Sequence, residues 1–97
     1  MKVRVLPRAE RDLVEIDAWL TRESPTSAAR VMKRLLDALE QLAQLPHSGA
    51  VVRDPVLASR GFRFLIRSRY AIFFKVHGAT VVIYRVLHQR RDWAQLL

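Results

Sequence analysis

The chain has 97 residues, 51% of them hydrophobic, with 17 Lys or Arg against nine Asp or Glu and no cysteine. That length holds one domain, 1–97, around one modest core; the apolar fraction excludes a disordered chain; and the missing cysteines exclude disulfides, thiolate metal sites and cysteine nucleophiles. No apolar run is long enough for a signal peptide or a bilayer span, so a soluble cytoplasmic protein is expected.

Lys2 to Leu6 alternates basic and apolar residues, with Val3 and Val5 on one face, as a half-buried strand does. Pro7 stops the strand and suits the first turn of a helix, where its missing N–H costs no bond. Ala9, Leu13, Ile16 and Leu20 then recur at helical spacing, with Trp19 expected beside them in the core. Glu10, Asp12 and Glu15 fall early, where the helix dipole favours acids. Ser24-Pro25 is a second start signal, a cap followed by a first-turn proline. It opens a stripe of Ala28, Met32, Leu35, Leu39 and Leu42, widened by Ala29, Val31, Leu36 and Ala43, which ends at Pro46 and a turn over His47-Ser48-Gly49. The short connection makes the two helices an antiparallel hairpin, which needs a sheet to lie on.

Ala50 to Arg60 shows no period and is expected to be a loop. Three strands follow, Phe62–Arg67, Tyr70–Val76 and Thr80–His88, the last two joined by a tight turn at His77-Gly78-Ala79. On the second, Ile72, Phe74 and Val76 alternate with Ala71, Phe73 and Lys75. On the third, Val82, Tyr84 and Val86 alternate with Val81, Ile83, Arg85 and Leu87. Both faces are apolar, so the face away from the helices requires cover from a curled edge, the tail or another chain. The expected fold is α+β, in the order β-α-α-β-β-β, with the hairpin packed on a twisted, mainly antiparallel sheet.

The net charge of +8 sits almost wholly in the second half. Between Pro55 and Arg91 there is no Asp or Glu, while Arg60, Arg63, Arg67, Arg69, Lys75, Arg85, Arg90 and Arg91 are all basic. Such a field suits nucleic acid, an acidic protein or an anionic surface, and charge alone does not choose. His47, His77 and His88 have no acid or second histidine at ligand spacing, no glycine-rich phosphate loop exists, and no serine sits in an elbow motif. Neither metal nor cofactor is expected.

Three readings of the basic sheet stand side by side. In the first, RNA is cleaved by attack of a 2′-hydroxyl, with His88 as acid or base, Arg63 and Arg85 as cations, and Tyr70 and Tyr84 as weaker proton donors. In the second, the sheet docks a macromolecule without chemistry. In the third, its apolar face takes a helix or strand from a partner whose acids match the arginines. Against the first, His88 is also a solvated residue at a strand end, and Arg85 a residue that pairs with Asp92 and packs its stem on the sheet. Trp93 is read as an anchor for the tail.

Five short stretches in this order resemble the ParE branch of the RelE/ParE toxin superfamily over essentially the full chain. They are Leu6-Pro7-x-Ala9-x-x-Asp12-Leu13-x-x-Ile16, Leu45-Pro46-x-x-Gly49, Phe62-Arg63, Arg69-Tyr70-x-Ile72-Phe73-Phe74-x-Val76, and Arg85-Val86-Leu87-His88-x-x-Arg91-Asp92. The resemblance implies the toxin of a bacterial type II toxin–antitoxin pair. ParE-like members poison DNA gyrase, whereas RelE-like members cut messenger RNA in the ribosome. No lysine pair precedes the second C-terminal strand and no tyrosine follows Arg85 in the tail, so the resemblance favours a gyrase poison with no catalytic residues. A ribosome-dependent nuclease using Arg63, Arg85 and His88, or an inactive antitoxin-binding homologue, is the alternative. On this reading Arg85, His88, Arg90, Arg91 and Trp93 contact the target. Arg63, Arg67, Arg69, Phe73 and Lys75 contact the acidic or amphipathic C-terminal segment of a cognate antitoxin, in a hetero-oligomer that reaches operator DNA only through the antitoxin. Gln89 stands where many relatives have glycine.

Overall fold

Three prolines mark where helices begin. Pro7 opens α1 (Pro7–Glu23), Pro25 opens α2 (Pro25–Gln44) and Pro55 opens α3 (Pro55–Ser59) in the computed structural model, which describes residues 1–97. Ser24 caps α2 by accepting from the Ser27 N–H, and Asp54 caps α3 by accepting from the N–H groups of Val56 and Leu57. Four of the strands are β1 (Lys2–Val5), β3 (Arg63–Arg67), β4 (Tyr70–His77) and β5 (Thr80–His88); the fifth, β2, is only Ala50–Val51, and a last turn α4 (Trp93–Leu96) closes the chain.

The expectation of a loop from Ala50 to Arg60 is corrected here. That segment holds β2 and α3, and Asp54-Pro55 repeats the start signal of Ser24-Pro25. A two-residue strand and a five-residue helix are too short to show a period.

The sheet runs β1-β5-β4-β3-β2, with β1 parallel to β5 and every other pair antiparallel. The α1–α2 hairpin covers one face. Ala9, Leu35, Ala38, Leu39 and Leu42 pack there on Tyr70, Ile72, Phe74, Val81, Ile83 and Val86. The other face is covered by the chain itself: Ala71, Phe73 and Leu87 lie beneath Val52, Leu57 and Phe62, with Trp93, Leu96 and Leu97 of the tail packed on top. Burying a phenylalanine such as Phe73 or Phe74 contributes about 1.5–3 kcal/mol, so the tail is part of the core.

Strict alternation along β5 is also corrected. Phe74 pairs with Ile83 but Phe73 pairs with Arg85, which leaves Tyr84 as the extra residue of a β-bulge. The bulge reverses the phase of the strand, so Val86 shares the helix-facing side with Val81 and Ile83.

Gly49 explains its own place in the Leu45-Pro46-x-x-Gly49 stretch. A Cβ there would stand 2.7 Å from the Phe74 ring and 2.8 Å from the Phe64 carbonyl, closer than any side chain fits. Trp19 is not in the core as expected; it is 52% exposed. Ala9, Leu13, Ile16 and Leu20 already supply the contact with the core, and the indole falls outside it, on the surface near Tyr70 and His88.

Candidate functional site

Where β1 stops, β5 still has five residues to run, and α1 takes over its edge. β1 pairs with β5 only as far as Val5 opposite Ile83, and the Leu6 N–H then donates to the Ile83 carbonyl. The next free donor on that edge, the Val86 N–H, finds the Asp12 carboxylate at 3.0 Å. Asp12 therefore supplies from a helix the acceptor that a longer β1 would have supplied from its backbone. The same carboxylate takes the Arg85 guanidinium in a fork, Nε at 2.8 Å and Nη2 at 3.1 Å, while Nη1 donates to the Leu96 carbonyl at 2.9 Å. The Asp12 side chain is 4% exposed and that of Arg85 12%, with Arg8 adding a more open contact to Asp12 at 3.2 Å.

This corrects two expectations. Arg85 pairs with Asp12 and not with Asp92, and Asp12 does not serve the helix dipole at the surface. Helical spacing carried the signal, because Asp12 lies three residues after Ala9 and four before Ile16, on the apolar stripe. The acid-free stretch from Pro55 to Arg91 carried it too, since any nearby partner for Arg85 other than Asp92 had to come from the first half.

The remaining predicted residues do not form one site. Arg63 donates from Nη2 to the Gly49 carbonyl at 2.6 Å, and it lies opposite Phe74 while His88 lies opposite Tyr70, at the other end of β4. Arg67 holds the Gln41 side chain at 3.1 Å. Lys75 stands over the rings of Phe62 and Tyr84, 4.4 and 4.9 Å from their centroids. Trp93 packs on Phe73 and Phe64, at 4.9 and 5.3 Å between centroids. Phe73, expected to meet an antitoxin, is 0% exposed, because the tail lies over it. Arg69, Arg90 and Arg91 are exposed.

His88 has a better-defined setting. Its Nδ1 accepts from the Arg90 N–H at 3.2 Å, so the neutral ring carries its proton on Nε2. Its ring meets Tyr70 edge-on at 5.5 Å. Burial pushes the Tyr70 phenol above its usual range, which makes it a poorer proton donor.

Around His88 and Tyr70 two open clefts adjoin. The first lies between α1 and the end of β5 and is lined by Arg8, Glu15, Trp19, Arg22, Tyr70, His88 and Arg91, with Asp12 and Arg85 in its wall. The second crosses the hairpin toward the β3–β4 turn and is lined by Trp19, Arg30, Arg34, Ser68, Arg69, Tyr70 and His88. Arg22, Arg30, Arg34, Arg69 and Arg91, all exposed, are thus brought together where both helices meet one end of the sheet, while Arg63, Arg67, Lys75 and Arg85 on β3–β5 are held against the protein. A third, more apolar groove runs past β2 to the tail, lined by Val51, Phe64, Ile66 and Trp93 with Arg53 and Arg91 at its edge. No three or more His, Cys, Asp or Glu side chains are grouped to hold a metal ion, and no helix is long and apolar enough to cross a membrane.

The order of elements, the parallel β1 and the invading Asp12 can be set beside known proteins. Residues 3–93 match the ParE toxin of the type II toxin–antitoxin system, parDE. The chain belongs to this family. Relatives within it and beside it span the full fold. The Sinorhizobium fredii protein Y4kP, which carries the name of a toxin, is 33% identical over 96 residues, 99% of this chain and 96% of its own. Toxin RelE3 of Caulobacter vibrioides is 36% identical over 90 residues, covering 89% of this chain and 91% of its own. Among solved structures, the chromosomal ParDE system of P. aeruginosa superposes with a TM-score of 0.70 at 22% identity, over 91% of this chain and 95% of the other, which is a likeness of fold. The RelBE2 toxin–antitoxin complex of Mycobacterium tuberculosis gives 0.63 at 29% identity, over 90% and 95%. The α+β architecture expected from the sequence is the one these proteins share.

Proposed function

We propose that this toxin arrests growth by poisoning DNA gyrase, without catalysing a reaction, and that a cognate antitoxin neutralises it in the cytoplasm. The observation that carries the non-enzymatic half is the dispersal of the nuclease set. Arg63 is tied to Gly49 at the far end of β4, and Arg85, although it shares a cleft with His88, has its guanidinium taken up by Asp12 and the Leu96 carbonyl, so neither cation of the expected set is free to meet a phosphate at His88. The gyrase target follows from the resemblance to ParE-like toxins. His88, Arg90 and Arg91 are the members of the expected target-binding set that stand accessible for it.

The antitoxin is proposed to lay an acidic, amphipathic C-terminal segment along the groove of Val51, Phe64, Ile66 and Trp93, with an acid meeting Arg53 at its edge. Operator DNA is reached through the antitoxin.

Expression of the toxin alone should trigger a DNA-damage response and filamentation, and purified toxin should trap gyrase on cleaved DNA. Rapid translation arrest with cut messages would overturn the reading in favour of a ribosome-dependent nuclease, the activity that the likeness to RelE3 brings forward. Arg91→Ala is expected to lower toxicity more than antitoxin affinity. Deleting the tail is the poorer test, because it also uncovers Phe73.

A further inference from the structure

The two clefts that meet at Trp19, Tyr70 and His88 contain more than the proposed function uses. Five arginines on their rims, Arg22, Arg30, Arg34, Arg69 and Arg91, form none of the ion pairs in the structure. The residue common to both clefts and most open to solvent is Trp19, 52% exposed. Isolated exposed tryptophans are ordinary, but this one lies between two basic clefts of about 460 and 520 Å³, each within the range of about 300–1,000 Å³ that holds a small ligand such as one nucleotide.

The wall of the second cleft supplies an independent sign. Ser68 and Arg69 form the β3–β4 turn with φ of 51° and 72°, the left-handed conformation that Asn-Gly normally occupies in such a turn. The Ser68 hydroxyl is buried there with no hydrogen-bond partner. The turn thus sets Arg69, which has no ion-pair partner, in the wall of the same cleft, where its guanidinium can meet an anionic oxygen from outside.

From these features we infer that the two clefts bind single-stranded nucleic acid, with one base stacked on Trp19 and the flanking phosphates held by Arg22 and Arg91 on one side and Arg30, Arg34 and Arg69 on the other. The rim cations are all arginine, whose planar fork grips two phosphate oxygens at once and stacks on rings, where lysine offers a point charge. Ile16, Leu20, Val31, Val86 and Leu87 also line these clefts, but they are buried or half-buried, and the apolar surface most open to a ligand is the Trp19 ring, which suits a base face better than the side chains of an acidic helix. A duplex keeps its bases stacked inside, so only an open strand gives Trp19 a free base face. This ligand goes beyond the proposed gyrase target and does not depend on it.

The test uses the full-length chain with Trp93→Phe, which leaves Trp19 as its one tryptophan. Labelled twelve-nucleotide oligo-dT and oligo-U are titrated in separate arms at low salt, following anisotropy and indole fluorescence, with a twelve-residue poly-glutamate peptide as the competing polyanion. Binding with quenching of Trp19 is expected, in either or both arms, the stronger arm naming the sugar. Trp19→Ala, half-exposed and checked for fold by circular dichroism, should weaken binding about tenfold or more. The affinity should fall with salt with a logarithmic slope of roughly −0.7 per phosphate held, and Arg30→Ala and Arg34→Ala should each reduce the slope by about that amount. No binding in either arm, binding indifferent to Trp19→Ala, or equal binding of poly-glutamate would each overturn the assignment. No gyrase enters this assay, so its outcome and that of the growth experiment are read separately.

Discussion

Replacing Asp12 by alanine tests the joint on which the cleft and the tail both depend. The carboxylate is 4% exposed and accepts three hydrogen bonds, two from Arg85 and one from the Val86 N–H. Removing one partner of a buried pair leaves the other charge stranded, at a cost of about 3–5 kcal/mol. The orphaned Val86 N–H adds part of its own desolvation, about 1–3 kcal/mol when complete. The contact from Arg8 is more open and contributes about 0–1 kcal/mol. A loss of about 4 kcal/mol is therefore expected, against a total stability of roughly 5–15 kcal/mol for a domain of this size. At about 4–8 °C per kcal/mol the melting temperature should drop by about 15–30 °C. Asp12→Asn keeps an oxygen for Val86 and should lose about half as much. The informative variant is Asp12→Leu with Arg85→Met, which removes both charges. It should be more stable than Asp12→Leu alone, with a coupling of about 2–3 kcal/mol from urea unfolding followed by far-UV circular dichroism. A loss below about 1 kcal/mol for Asp12→Ala, or strictly additive single effects in the double variant, would refute the account of Asp12 as the acceptor that completes the β5 edge.

Gly49→Ala should destabilise by about 1–3 kcal/mol, because its methyl meets the Phe74 ring and the Phe64 carbonyl; an unchanged urea midpoint would mean that the β2 edge yields freely. Trp93→Ala should cost about 2–3 kcal/mol and raise binding of a hydrophobic dye, since it uncovers Phe73 and Phe64; unaltered dye fluorescence would show that the tail is not their cover. Burial raises the Tyr70 phenol above its usual value of 10.0. The folded state then keeps a proton that the unfolded chain releases, so this contribution is intact below about pH 10 and lost as pH rises through the higher folded value. Tyr70→Phe should flatten the alkaline fall in stability and remove the late-titrating phenolate from the 295 nm absorbance, and two parallel alkaline profiles would contradict the burial argument.

Local chemistry made much of the fold legible. Pro7 and Ser24-Pro25 announce helix starts through the missing N–H and the capping hydroxyl, and the stripe from Ala28 to Leu42 shows which face of α2 is buried. The two-residue turn before Thr80 follows from Gly78, whose φ is 58°. These signals act over a few residues, so one sequence contains them whole. What escaped was short or distant. β2 and α3 are too brief to show a period, and the bulge at Tyr84 reveals itself only through pairing with β4.

The sequence by itself determined that a basic, cysteine-free α+β domain would form, that its C-terminal strands would be apolar on both faces, and that its charge would be lopsided. Only the tertiary structure decided where that charge remains available. Asp12 is 73 residues from Arg85 and binds it because the end of β1 brings α1 against the free edge of β5. That pairing, with the contacts of Arg63, Arg67 and Lys75, holds the cations of β3, β4 and β5 against the protein. Arg22, Arg30 and Arg34, inconspicuous on helices of nearly balanced charge, come together with Arg69, Arg91 and an exposed Trp19. Periodicity reports which residues turn inward. Which charges find partners depends on contacts between elements far apart in the chain, and those exist only once the sheet has closed against the hairpin.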